Sequence, residues 1–340
     1  MVRIYVATGD AVAILRPTEG DWQAELQMRG LPIQCLAVDP LIPERVYCGT
    51  FGRGLWQSDD GAHSWRPVEQ GVPYQEVMSV SVSRLERFGD NGVLWVGTEP
   101  SALFRSEDGG TTWVERPALR HLPSAPTWSF PPRPWTSHVR CIAPDSTVRD
   151  RLFVGIELGG VMRSLDGGLT WEDRKPDAQP DSHALATHRL APGRVYETAG
   201  GGYAESLDGG TTWRRYDDGL PWHYLWGLAV DPADPDTVVV SVSPGPGPAH
   251  DPHAGESVIC RRRAGGSWEV VSDGLPEPKG TRAYVLATND AEPGVFYAAT
   301  READLYRSPD SGGTWERLSV DWPAGYRPRD VNAMSVVETE

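Results

Sequence analysis

Three histidines, His138, His183 and His223, stand at or just before short apolar runs. Two glutamates, Glu99 in GTEPS and Glu157 in GIELG, follow such runs at matching positions. Imidazoles and carboxylates brought from separate strands to one opening can hold a divalent metal or carry protons near neutral pH. His138, His183, His223, Glu99 and Glu157 are therefore the candidate catalytic groups, and the three histidines the candidate metal ligands. The same side chains could instead only hydrogen-bond water in a polar channel. Arg140, two residues past His138 in an otherwise apolar run, needs a carboxylate partner or an anionic ligand. With Arg282 it is a candidate for holding an anionic or hydroxylated part of a ligand. Trp128, Trp135, Trp222 and Tyr224 could stack on flat or sugar-like rings, or only seal the surface.

These residues converge only if a repeated element places them. Five copies of an eight-residue pattern, S-x-D-x-G-x-T-W, begin at Ser58, Ser106, Ser164, Ser206 and Ser308, the first with Ala62 and Ser64 replacing the glycine and threonine. A period of about 40–50 residues points to an array of one supersecondary unit. Around each copy the order is two strand-like runs and part of a third, the turn, then a last strand, as in CLAVDP, RVYCGT, GLWQS and WRPVE. Within the turn, aspartate and serine can bond backbone amides, glycine can take positive φ, and tryptophan can bury a large surface.

Seven runs read as the first strand of a unit: 33–38, 77–82, 139–143, 184–189, 225–230, 283–288 and 331–337. The last has no strands after it, whereas residues 1–27 supply three strands with no first strand before them. Joining the two ends makes one sheet and removes the exposed edges of an open array. The sequence thus predicts an all-β fold, a single seven-bladed β-propeller over residues 1–340, with four-stranded antiparallel blades and a closing blade of 1–27 plus 331–337. Aligning the first strands places Pro32, Glu76, His138, His183, Tyr224, Arg282 and Asp330 around one mouth, with His223 one residue earlier.

The boxes and their spacing resemble the Asp-box, or BNR-repeat, propellers. This group includes sialidases, sortilin-type receptor domains, photosystem II assembly factors and oligoxyloglucan-type glycosidases. The resemblance spans essentially the whole chain and implies the propeller fold without singling out an activity. With the candidate groups above, the leading expectation is an enzyme, a hydrolase or lyase using acid-base or metal-assisted chemistry on a saccharide-like or small polar ligand, glycoside hydrolysis among them; a non-catalytic scaffold or assembly factor is the alternative. The nearest counterpart of the sialidase Arg-Ile-Pro motif is Ile14-Leu15-Arg16-Pro17, which falls in the third strand of the closing blade rather than the first.

The net charge of −15 argues against nucleic acid or an anionic membrane as partner. No apolar run approaches the about 18 residues of a membrane span, and the start has no cleavable signal anatomy, so a cytoplasmic location is expected. Phosphate-loop, dinucleotide-binding, His-Glu-x-x-His and serine-elbow motifs are absent. The expected partner is a small polar or saccharide-like ligand, with a protein partner as the alternative. No cofactor is specified beyond a possible divalent metal. Two connections stand out: 114–137, rich in proline and aromatics, and 243–257, long, flexible and carrying His250, Asp251 and His253, which reads as a lid.

Overall fold

The eight-residue turns saturate their own backbone. At residues 106–113, Ser106 Oγ donates to Asp108 Oδ1 (2.9 Å) and accepts the Gly110 amide (3.0 Å). The Asp108 carboxylate takes the amide (2.8 Å) and the hydroxyl (2.6 Å) of Thr112. Gly110 has a φ of 89°, a conformation nearly free for glycine. The Trp113 indole donates to the Gly110 carbonyl (3.0 Å), and its ring is buried against Tyr47 and Phe104 of two blades. The carboxylate-to-amide bond recurs at Asp60, Asp166, Asp208 and Asp310. In the variant copy Ala62 takes the left-handed position, with a φ of 70°.

In the computed structural model, which describes residues 1–339, the strands these turns join form seven small antiparallel sheets. They follow one another along the chain as the blades of a β-propeller. Five blades have four strands, as in Ile33–Asp39, Ile42–Thr50, Leu55–Ser58 and Arg66–Pro67. The blade beginning at Val139–Pro144 has three, its outer position reduced to a bridge between Arg163 and Glu172. Ring closure is as the sequence predicts: Val2–Thr8 pairs with Ala333–Glu338, from Val2 opposite Glu338 to Ala7 opposite Ala333. Val320–Asp321 adds a fifth, parallel strand beside Trp22–Gln27.

The core lies in the seams between blades. Tyr47, Trp95, Phe153, Tyr196 and Phe296 are fully buried there, each side chain contributing about 1.5–3 kcal/mol of hydrophobic stabilisation.

The first strands carry the feature that builds the site. Their pairing slips between Ile33 and Cys35, Val77 and Ser79, Val139 and Cys141, Ser182 and Ala184, and Leu225 and Leu228. A β-bulge leaves the extra residue outside the ladder and re-aims it. The skipped positions hold Gln34, Met78, Arg140, His183 and the pair Trp226–Gly227, and Gln34, Met78, Arg140 and Trp226 line the channel mouth. The next strand approaches closely. A Cβ on Gly97 would lie 2.4 Å from Val139 Cγ1, so glycine is required there.

The 243–257 connection differs from the free loop expected. Residues Pro246–His250 form a helical turn, and Ala249 is buried against Tyr224 and Ala283.

Candidate functional site

All seven blades contribute to a cavity of about 690 Å³ at the channel mouth. Phe51, Phe130, Tyr224 and Trp226 make its aromatic wall. His138, Arg140, Glu157, Asp181, His250 and Arg301 supply its polar groups.

His138 sits between two carboxylates. Its Nε2 is 3.0 Å from Glu157 Oε2 and its Nδ1 is 3.5 Å from Glu99 Oε2. Burial opposes a charge on this ring, but the bonds to Glu157 and Glu99 outweigh it and raise the pKa. Glu99 is clamped by Arg133 through two bonds of 2.6 Å. Although burial acts the other way, this clamp and His138 bring the Glu99 pKa down to about 2. Burial likewise works against ionisation of Glu157, yet His138 and Arg140 hold its pKa below the usual carboxylate value.

His183 has its Nδ1 2.6 Å from the Leu225 carbonyl oxygen, so Nδ1 donates. Its Nε2 faces Asp181 Oδ2 at 3.4 Å. Asp181 Oδ1 accepts the Leu158 amide at 3.0 Å. The Asp181 pKa is lowered because His183 and that amide outweigh the effect of burial. Ligand atoms of Glu157, Asp181 and His183 lie within 4.8 Å of one another.

The mouth also carries cationic groups. The Arg140 guanidinium lies 4.3 Å from the centroid of the Trp226 ring and makes no hydrogen bond among the described residues; Glu157 is 4.0 Å away. Arg301 donates to the Val331 carbonyl (2.6 Å) and Asn332 Oδ1 (3.1 Å). Burial and the nearby Arg282 and Arg140 lower the Arg301 pKa to about 10. His250, from the helical turn over the mouth, is 3.0 Å from the Tyr224 hydroxyl. Its pKa falls to about 3, first through burial and then through Arg301, His183 and Arg140.

The structure brings together His138, His183, Glu99, Glu157, Arg140 and Tyr224 of the residues expected from sequence. It separates the others, each for a physical reason. His223 is exposed outside the mouth, because successive side chains of a strand alternate and its neighbour Tyr224 takes the inward position. The three-histidine metal set therefore does not form. Arg282 and Asp330 bind each other at 3.0 Å, with Glu302 also 2.7 Å from Arg282. Trp128 is buried in the seam with Trp95 and Val139, its indole donating to Ser124 Oγ at 2.9 Å. Trp135 is 80% exposed and touches no part of the mouth. Trp222 packs against a seam cluster with Leu220 and Tyr216.

Sequence reasoning missed Asp181, Trp226, Phe51 and Arg133. Strand alternation alone could not place them: His183, two residues after Asp181, and Trp226, two after Tyr224, sit at slips in the strand pairing, where regular alternation breaks.

Comparison with known proteins places the chain among propellers. No protein-family profile matches it. It is 27% identical over 263 residues to a probable oligoxyloglucan-reducing end-specific xyloglucanase of Neosartorya fischeri, covering 73% of this chain and 28% of that protein. It is 28% identical over 321 residues to a xyloglucanase of Paenibacillus sp., covering 84% of this chain and 26% of that one. The chain thus spans about a quarter of the length of the curated relatives it matches. Among solved structures, an ancestral GH74 enzyme superposes with a TM-score of 0.64 at 15% identity, over 89% of this chain and 38% of that one. YCF48 bound to D1 peptide superposes with a TM-score of 0.58 at 16% identity, over 93% of this chain and 85% of that one. These likenesses in structure support the fold alone.

Proposed function

We propose that the chain is a carbohydrate-active propeller that takes a saccharide into the channel mouth and hydrolyses a glycosidic bond there. The observation that carries this reading is the carboxylate pair Glu157 and Asp181, whose oxygens lie within 4.8 Å in a cavity walled by aromatic rings. Glycosidases use two carboxyl groups across the scissile bond, about 5–5.5 Å apart in retaining enzymes. Aromatic faces such as Trp226 and Phe130 suit the apolar face of a sugar ring. His138 and Glu99 position Glu157, and His138 is the group able to pass it a proton. Arg140 and Arg301 hold hydroxyls or an anionic substituent. The xyloglucanase names of the sequence relatives point the same way.

The test is turnover on a panel of xyloglucan oligosaccharides and other glycans. Glu157→Gln and Asp181→Asn should each lower kcat by about 10²-fold or more. A folded chain that neither binds nor cleaves any member of the panel would overturn the reading. A second reading, a non-catalytic binding module, is favoured by one observation. Both carboxylates are held below their ordinary pKa, so neither is a ready proton donor. Glycan binding without turnover, abolished by Trp226→Ala, would favour that reading.

A further inference from the structure

We propose that Glu157, Asp181 and His183 form a site for one divalent cation of the transition series, Mn²⁺ or Zn²⁺. The inference rests on the mouth being a ligand site; an ion held by Glu157 and Asp181 would bind saccharide hydroxyls there and would take both carboxylates out of free acid and nucleophile roles.

The argument starts at His183. Its side chain is fully buried, and its Nε2 has no hydrogen-bond partner among the described residues. Because Nδ1 donates to the Leu225 carbonyl, neutral His183 presents a lone pair from Nε2. That lone pair faces Asp181 Oδ2 at 3.4 Å. Two acceptors opposed in a buried space repel unless a proton or a cation lies between them. A ring N–H given to a backbone carbonyl is also the outer arrangement that orients a metal-binding imidazole.

The carboxylates are prepared in the same way. Asp181 keeps Oδ2 outside the bond that the Leu158 amide makes to Oδ1. Glu157 uses Oε2 toward His138 and leaves Oε1 without a hydrogen bond among the described residues. Gly200 makes the room, since a Cβ there would lie 2.1 Å from Asp181 Oδ2. The three ligand atoms lie within 4.8 Å, a span one ion can bridge with bonds of about 2.0–2.4 Å. One imidazole with two carboxylates suits Mn²⁺ or Zn²⁺ better than the all-oxygen shells of Ca²⁺ and Mg²⁺. Ligand hydroxyls would complete the coordination.

The experiment titrates the EDTA-stripped, folded wild-type chain with MnCl₂, following loss of the aqueous Mn²⁺ EPR signal, and then displaces Mn²⁺ with ZnCl₂. One ion per chain is expected, and Asp181→Asn and His183→Gln should each weaken binding by about 10-fold or more. Failure of folded wild type to bind either ion overturns the proposal. Binding unchanged in both variants overturns it as well. A chain that binds no ion yet binds a glycan loses only the cation site. One that binds the ion and no glycan keeps the cation site and loses the saccharide reading.

Discussion

Glu197 shows how costly a single polar side chain becomes inside a blade. It is fully buried, and among the described residues neither carboxylate oxygen has a hydrogen-bond partner and the side-chain polar atoms of nearby Gln179 and Ser182 are likewise unpartnered. Burial raises its pKa from 4.5 to about 8, because a charge in a low-dielectric interior is penalised. The sign follows from linkage. The folded chain holds the proton more tightly than the unfolded one, so this contribution is fully present below about pH 4.5 and is lost as pH rises through about 8. Glu197→Gln, neutral at every pH, should flatten the fall in urea midpoint across that window. An unchanged slope would show that Glu197 is not the group responsible. At the same scale, the placement of His138, Arg140 and His183 close to one another near the channel mouth was legible from type and position. His223 was misassigned by one residue, and on a strand one residue is the difference between the channel and the solvent.

At the scale of the element, two devices divide the labour. The serine–aspartate turn closes five of the seven units on themselves and is local, every bond falling within eight residues, so it was readable from the pattern. The bulge that turns Arg140 and Trp226 into the mouth depends on how one strand slips against its partner, which no local pattern records. The turns carry a pH signature of their own. Asp208 has its pKa lowered to about 2, burial opposing and the amide and hydroxyl of Thr212 and the Ser206 hydroxyl prevailing. Its stabilisation is therefore present above about pH 3.8 and lost as pH falls toward 2. Because this carboxylate is largely exposed, solvent screens the effect and it should be modest. Asp208→Asn should lower the thermal midpoint at pH 7 by a few degrees and leave the acid end of the profile nearly unchanged. Equal losses at both ends would mean that geometry, not charge, is what the aspartate supplies.

For the molecule as a whole, closure is the decisive contact. The strand Ala333–Glu338 covers the edge of Val2–Thr8, and Thr339 bonds the first residue through its amide at 2.7 Å. Removing residues 333–340 should expose that edge and open the seam where Val6, Val285 and Met334 meet. The expected result is loss of a single cooperative thermal transition together with self-association on size exclusion. A truncated chain that melts like the intact one would show that the ring does not depend on its clasp. The sequence by itself determined the blade count, the closing partner and the turn chemistry, because repetition and hydrophobic alternation are written in short stretches. Only the tertiary structure decided that Asp181 rather than His223 meets Glu157 and His183, that Arg282 is occupied by Asp330, and that Trp128 belongs to the core. Those outcomes depend on strand register and on which residues meet across a ring. Both are set by packing between segments far apart in the chain.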